Sequence, residues 1–250
     1  MDLGTLGNSL LVLASVAAVS SIVSIGAAGK DGENPRRLGG ILTFAVLGFT
    51  TLATLLLAVA FLSENWALEY VIFNHPTITG ASAWLYRLSG VWAGREGSLL
   101  FWEWVLSIFA AFVAGKTLKG DDRLGSTGLA VINFVQLFFL AALFIDLNNP
   151  FKMAPAGIVD PTTGALLTSA AMNPLLQTWA MVAHPPTLFV GYAGLTVPFA
   201  FAIAALITGD TSKRWVVLSD RITVFSWLLL GIGIGLGSIW AYIELAFGGY

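Results

Sequence analysis

The sequence predicts an all-α, polytopic membrane protein with six transmembrane helices, and three observations support this. Hydrophobic residues make up 57% of the chain and charged residues only 10%, with a mean hydropathy of +0.83, whereas soluble domains have roughly 25% charged residues. Six apolar stretches approach the length of about 20 residues that a helix needs to cross the bilayer core. Most basic residues lie in short connections between these stretches. A soluble globular fold is therefore excluded.

The predicted spans alternate with two kinds of connection. Three short connections hold nine of the twelve basic residues, whereas the two long connections, residues 63–97 and 146–185, hold the other three. By the positive-inside rule, the short connections lie in the cytoplasm and both termini lie outside. We therefore expect function on the outer side, where most of the non-spanning chain lies. The predicted spans are residues 3–28, 38–62, 98–114, 125–145, 186–208 and 222–246.

Residues 1–250 read as a single membrane domain. The acidic Asp2 and the lack of a cleavage site after a short apolar core indicate that the first helix is not a removable signal peptide. No fixed-period repeat or low-complexity linker divides the chain. Because the sixth span ends without a basic or polar tail, we expect that the chain is either cut at this end or completed there by another chain.

The composition restricts the possible chemistry. The formal net charge of -2 provides no basic excess for a phosphate backbone, so nucleic acid is not expected as a partner. The chain has no cysteine, which excludes disulfides, zinc thiolate sites, iron–sulfur ligation and thiol nucleophiles. A metal or cofactor must be held by the two histidines, by carboxylates or by surfaces without strong ligands.

His184 is the first candidate ligand. Asn173-Pro174 and the helical spacing of the apolar residues that follow predict a short interfacial helix on the outer surface, ending at His184. Two prolines follow His184, so we expect the histidine on a stiff elbow. An imidazole there can act as an axial iron ligand or a proton acceptor, or it can simply hydrogen-bond the elbow. His75 also precedes a proline but lies in a more polar loop.

Tryptophans are unevenly distributed along the predicted topology. Only Trp215 and Trp227 fall near the inner side. An interfacial belt alone predicts both faces, so the bias favours an outer aromatic surface suited to a flat, apolar ligand. A belt biased by the longer outer loops accounts for it equally well. The outer set comprises Trp66, Trp84, Trp92, Trp102, Trp104, Trp179 and Trp240.

Two carboxylates, Glu103 and Glu244, fall in the outer turns of predicted spans. Ionisable groups in a membrane usually face a cavity or a partner. Arg95 and Glu96 lie just above Glu103, and Glu96 shares a helical face with it. Two interpretations stay open: a structural ion pair that seals the helix end, or contact of Arg95 with an anionic ligand.

Other intramembrane residues predict helix packing. Asn133 and Gln136 share a helical face near mid-span and are expected to join helices by hydrogen bonds. The glycine run 231–237 lies inside a span and lacks the spacing of a dinucleotide-binding loop. Its two small-xxx-small pairs, Gly231 with Gly235 and Gly233 with Gly237, predict close helix approach.

Three stretches together resemble the CcmF family of cytochrome c haem lyase subunits, in the superfamily that includes NrfE and CcsA. They are YRLSGVWAGREGSLLFW at 86–102, NPLLQTWAMVAHPPTLFVGYAGLTVPFAFAIAALITGD at 173–210, and GIGLGSIWAYIELAFGGY at 233–250. The match covers most of the chain from about residue 70 onward, and the HPP motif with NPLLQ upstream is specific.

The chain departs from the family pattern at two places. Family members commonly have histidine where this chain has Arg95. The tryptophan-rich WWD segment, two transmembrane haem-ligand histidines and a second external histidine lie beyond the stretch that this sequence matches. The resemblance therefore implies the N-terminal portion of a split family member, with a C-terminal CcmF-like chain as partner.

The resemblance implies attachment of haem to the CxxCH thiols of apocytochrome c. Haem would come from the chaperone CcmE, and other subunits would present the apoprotein, at the periplasmic face of the inner membrane. His184 would be the axial ligand of the haem iron, and Arg87 and Arg95 would pair with the propionates. Trp92, Trp179 and Trp240 would supply aromatic walls. No residue is assigned as catalytic, and the chain is not expected to be active alone.

An alternative from another class is a transporter or channel subunit without covalent chemistry. Such proteins place polar sites near the bilayer midplane, where Asn133 and Gln136 are the only candidates here. The outer clustering of carboxylates and tryptophans disfavours this alternative. A purely structural scaffold is not distinguished from a haem platform by the sequence.

Overall fold

The computed structural model describes residues 2–28, 32–118, 123–160 and 162–244, and these form helices and connections without a β-strand. Six helices are long and apolar enough to cross a membrane, which confirms the predicted all-α, six-span class. Several extend beyond the predicted spans, because polar residues continue the helices past the apolar stretches. The helices are α1 (Leu3–Ala27), α2 (Glu33–Leu62), α3 (Glu69–Asn74), α4 (Ala83–Ser89), α5 (Arg95–Thr117), α6 (Arg123–Leu143), α7 (Trp179–Thr208) and α8 (Arg214–Glu244).

The two long connections, together with the start of α1 and the end of α8, lie at one end of the bundle, which we call the loop end. The connection after α6 packs on the start of α1, since a Cβ at Gly7 would lie 2.2 Å from the Phe151 ring. The end of α8 is tied to the connection before α7, because Trp240 Nε1 donates to the Leu175 carbonyl at 3.3 Å. Both described ends of the chain therefore lie at the loop end.

The buried core has two parts. One lies between α1 and α2 and is covered at the loop end by α3 and the connection after α6; Leu11, Leu57 and Phe151 are fully buried there. The other lies among α5, α6 and α7, with Leu106 and Ala200 at its centre. We refer to α1, α2, α5 and α6 as the four-helix part, because their contacts with one another close a bundle.

α8 stands at the periphery and packs mainly against α7. A Cβ at Gly233 would lie 2.9 Å from Leu188 Cα, so this glycine permits the close backbone approach that its spacing predicts. Gly231 and Gly235 face away, because no described atom lies within 4 Å of a Cβ built on either. The predicted close approach is thus confirmed for one glycine pair, while the other pair has no neighbour among the described residues.

The separate interfacial helix and the elbow at His184 are not found, and this part of the sequence prediction is wrong. α7 begins at Trp179, capped by the Thr178 side chain, and continues through Pro185 and Pro186. Proline removes the N–H that would bond to the carbonyl four residues earlier. For Pro185 this is the Met181 carbonyl, which instead accepts a hydrogen bond of 2.9 Å from Trp92 Nε1.

A turn remains where the interfacial helix was expected. Pro174–Leu176 forms a single 3₁₀ turn, and the Asn173 side chain accepts a hydrogen bond from the Leu175 N–H at 3.0 Å. The predicted cap is therefore present, but the segment turns into α7 rather than forming a helix of its own. Local signals placed the cap correctly, whereas the continuation of α7 through Pro185 involves the distant indole of Trp92, which bonds to the Met181 carbonyl.

Candidate functional site

His184 lies in the second turn of α7, half-buried against α8. Its Nδ1 is 2.8 Å from the carbonyl oxygen of Gly233. Because a carbonyl only accepts hydrogen bonds, Nδ1 carries the proton, and Nε2 keeps the lone pair of the neutral imidazole. In metalloproteins, a histidine ligand usually donates its other ring N–H to a carbonyl or carboxylate, and this hydrogen bond fixes the orientation of the ring. The backbone of α8 thus holds His184 in the tautomer suited to binding iron through Nε2.

α8 also shapes the space around the His184 ring. A Cβ at Gly237 would lie 2.6 Å from His184 Cε1, so only glycine leaves the imidazole in this position without a shift. The Trp240 ring stands one turn further along α8, with its centroid 5.9 Å from that of His184. We call His184, Gly233, Gly237 and Trp240 the His184 niche.

Two further tryptophans from the predicted site lie near the start of α7. Trp92 lies in a 3₁₀ turn before α5 and donates to the Met181 carbonyl, three residues before His184. Its ring packs 5.2 Å from that of Phe101. Trp179 is the first residue of α7 and is half-exposed. The structure therefore brings His184 and Trp240 into contact and connects Trp92 to the same helix end.

The two predicted arginines contact other parts of the loop end. Arg87 forms an ion pair of 2.6 Å with Glu64. Arg95 donates to the Leu147 carbonyl and lies 3.9 Å from Glu96. The side chains of Arg87 and Arg95 are 34% and 59% exposed, respectively, so both guanidinium groups retain accessible surface. Neither is among the groups that contact the His184 ring.

His75 is oriented in the same way as His184, which the sequence did not indicate. Its Nδ1 is 2.8 Å from the Ile72 carbonyl, so Nε2 again keeps the lone pair. The ring packs against Trp66 at 4.8 Å. The His75 carbonyl accepts a hydrogen bond from the N–H of Met172, which ties the His75 loop to the segment that leads into α7.

The Tyr70 hydroxyl and the Lys152 ammonium group each connect separate segments of the loop end. The Tyr70 hydroxyl donates to the Gly90 carbonyl at 3.0 Å and accepts from the Gly94 N–H at 2.9 Å, which holds the turn before α5. Burial raises the pKa of this hydroxyl. Lys152 bridges Asp146 and Glu69, and the hydrogen bond from its ammonium group to Asp146 is the main cause of its raised pKa.

Within the four-helix part, the expected helix-joining role of the amides is confirmed. Asn133 Nδ2 donates to Thr43 Oγ1 at 2.9 Å and also to Ser21, which joins α6 to α2 and α1. Gln136 Nε2 donates to Glu103 Oε1 at 2.9 Å, which joins α6 to α5. Glu103 is thus paired with an amide, and Arg95 is not its partner.

The described structure defines a six-span α-helical membrane protein whose two histidines lie at the loop end. Residues 92–250 match the Cytochrome C assembly protein family. The match covers more than half of the chain, and the chain belongs to this family.

Curated relatives match nearly the whole chain. The cytochrome c-type biogenesis protein CcmF of Pseudomonas aeruginosa is 35% identical over 247 residues, covering 98% of this chain and 36% of the relative. The cytochrome c-type biogenesis protein ccl1 of Rhodobacter capsulatus is 34% identical over 245 residues, with the same coverage. The chain therefore spans little more than a third of the length of these relatives.

A solved structure agrees with this relationship. The Cytochrome c Heme Lyase CcmF superposes with a TM-score of 0.80 and 27% identity, over 100% of this chain and 38% of that chain. Together with the relatives, it confirms the resemblance to the N-terminal portion of the CcmF family.

Proposed function

We propose that this chain is a membrane subunit of a cytochrome c haem lyase, which helps to receive haem and hold it while it is attached to apocytochrome c. The observation that carries the proposal is the hydrogen bond from His184 Nδ1 to the Gly233 carbonyl, which leaves Nε2 available as an iron ligand. The names of the relatives, cytochrome c-type biogenesis proteins, and of the similar solved structure, a haem lyase, support the same role.

The chemistry of the His184 niche fits haem. Porphyrin is flat and apolar, its iron binds neutral imidazole, and an aromatic ring beside the imidazole offers a surface for the macrocycle. Trp240 lies at this position, and Trp92 and Trp179 lie at the start of the same helix. Bound haem supplies the vinyl groups to which the client's thiols attach, and the client must provide those thiols because this chain has no cysteine.

In this proposal each group of the chain has one task. His184 binds the iron, and Trp92, Trp179 and Trp240 form aromatic walls that limit access of water. Arg87 and Arg95 pair with the propionates through their exposed guanidinium surface, after exchanging part of their present contacts. No residue of the chain is assigned a proton or electron transfer, so the subunit positions haem and is not active alone.

The proposal includes a partner on α8. A large part of this helix is apolar and exposed, with 70% of Trp227 and 65% of Tyr242 accessible. The matched region is only 36% of the length of these relatives, so the rest of the family sequence must come from another chain in this proposal. The exposed face of α8 is where this C-terminal CcmF-like chain, which carries the WWD segment, would pack. The haem chaperone CcmE, apocytochrome c and the subunits that present it complete the proposed assembly.

The proposed location is the inner membrane, with the loop end at the periplasmic face and both ends of the chain outside. The distribution of basic residues, nine of twelve in the short connections, supports this orientation. The alternative of a transporter or channel subunit has no comparable support, since the mid-span amides Asn133 and Gln136 are fully buried and joined to neighbouring helices.

The test is His184→Ala in cells whose c-type cytochromes depend on the complete complex. We expect mature cytochrome c to fall at least tenfold, while the subunit stays in the membrane at its normal level, because one half-buried imidazole contributes about 1 kcal/mol through its hydrogen bond. His184→Gly with added imidazole should restore part of the maturation, since a small imidazole can fill the vacated space.

His75→Ala is the comparison variant, and it should have a milder effect because the family motif covers only His184. Normal cytochrome c levels with His184→Ala would contradict the proposal. Equal loss in His184→Ala and in its imidazole-treated glycine variant, with reduced subunit in the membrane, would assign His184 a packing role instead.

A further inference from the structure

A fully buried carboxyl group lies inside the four-helix part, apart from the His184 niche. Glu103 is in the third turn of α5, with no exposed surface. Its Oε1 accepts a hydrogen bond from Nε2 of Gln136, which is also fully buried. Glu103 Oε2 and Gln136 Oε1 both lack a hydrogen-bond donor among the described residues. One hydrogen-bonded pair thus leaves two buried acceptor oxygens unsatisfied.

Among the described residues, no positive charge lies next to Glu103 to pair with an ionised carboxylate. No described basic side chain forms an ion pair with it, and Arg95 at the start of the same helix contacts Glu96. The next polar group on this face of α5, the hydroxyl of Ser107, lies 3.0 Å from that of Thr50. An ionised Glu103 would be an isolated charge in an apolar interior, which costs far more than one hydrogen bond contributes.

We propose that Glu103 and Gln136 form a proton-binding site in the membrane interior, in which a neutral carboxylic acid and an amide are joined by two hydrogen bonds. Gln136 Nε2 donates to Glu103 Oε1, as observed. The acid proton on Glu103 Oε2 donates to Gln136 Oε1. A single proton therefore satisfies both unpaired oxygens and removes the charge, because an acid and an amide each present one donor and one acceptor.

A monovalent cation is the competing ligand. Asn133 Oδ1, one helical turn from Gln136, is a third buried oxygen without a donor, and three such oxygens could surround a cation. The proton is favoured because it needs only the two side chains that are already hydrogen-bonded. The described residues also contain no group of three histidine or acidic side chains placed to hold a metal ion.

Infrared spectroscopy of the full chain in lipid nanodiscs tests the proposal. At neutral pH we expect the carbonyl stretch of a protonated carboxylic acid, shifted in D₂O and after incorporation of ¹³C-labelled glutamate. Glu103→Gln should remove this band. Glu96→Gln is the matched control, on the same helix but at its partly exposed start, and should leave the band unchanged.

Thermal unfolding in the same nanodiscs provides a second measurement. Glu103→Gln should unfold within a few degrees of the wild type, since two glutamine amides can form the same pair of hydrogen bonds. Absence of the acid band from the wild-type protein at neutral pH would overturn the proposal, whether or not the variant folds. Stabilisation of the wild type by sodium or potassium over choline, lost in Glu103→Gln, would assign a cation and also overturn it.

Discussion

The four-helix part and the α7–α8 pair are held together in different ways. In the four-helix part, side-chain hydrogen bonds cross between helices, and Asn133 and Gln136 each reach a side chain on another helix. In the pair, glycine lets the backbones approach, and Gly233 faces Leu188 closely. The helices of the first arrangement bury a larger share of their residues than α8, most of whose surface is exposed. His184 lies in the second arrangement, where its ring contacts the backbone of α8.

The largest expected effect is a loss of stability at the contact between α7 and α8. In Gly233→Ala, the new methyl would lie 2.9 Å from Leu188 Cα, and backbone cannot move away as a side chain can. We expect a loss of about 1–3 kcal/mol, typical of overpacking, with displacement of the carbonyl that orients His184. Unfolding of the purified chain in detergent measures it.

Gly231→Ala is the matched control two residues away, where a Cβ meets no described atom. It should be neutral or stabilising by about 0.5–1 kcal/mol, because alanine is the better helix former. Equal destabilisation by Gly231→Ala and Gly233→Ala would show that the close contact of Gly233 with α7 is not the cause of the loss.

The next effect tests the connection between the two regions. Trp92→Phe keeps an aromatic ring but removes the N–H that bonds to the Met181 carbonyl, which Pro185 leaves without its backbone donor. We expect a loss of about 1–2 kcal/mol from the unpaired carbonyl. Proteolysis and hydrogen exchange should increase at the start of α7. Increased exchange confined to α5 would contradict this assignment.

The smallest expected loss of stability concerns α3, which packs over the four-helix part at the loop end. Tyr70→Phe removes the hydroxyl between Gly90 and Gly94 and should cost about 1 kcal/mol at neutral pH. Because burial raises the pKa of Tyr70, its contribution is complete below the unfolded pKa of about 10 and is lost as the pH rises further.

The measurement is the difference in unfolding free energy between wild type and Tyr70→Phe across that alkaline range. We expect the difference to shrink as the pH rises. A difference that stays constant with pH would show that the hydroxyl is not held in its neutral form by the fold.

The six spans were predictable because length and hydropathy are local properties, and the helix-joining amides because unpaired amides are costly in a membrane. The course of α7 was not predictable. The rule that proline ends a helix considers only local backbone. The donor that compensates for Pro185 is the indole of Trp92, which bonds to the carbonyl of Met181, 89 residues further along the sequence. The partners of Arg87 and Arg95 were not predictable either, since Glu64 lies at the far end of the same connection as Arg87 and Leu147 lies in the other long connection.

The third proline of α7 has a mechanical consequence. Pro198 lies near the middle of the helix, so the Gly194 carbonyl has no backbone N–H to accept from. Beside Gly194 lies the buried Ser226 hydroxyl of α8, which also has no partner among the described residues. α7 can bend at this level without breaking a backbone hydrogen bond. Bending at Pro198 would tilt the segment that carries His184 relative to the end of the bundle opposite the loop end.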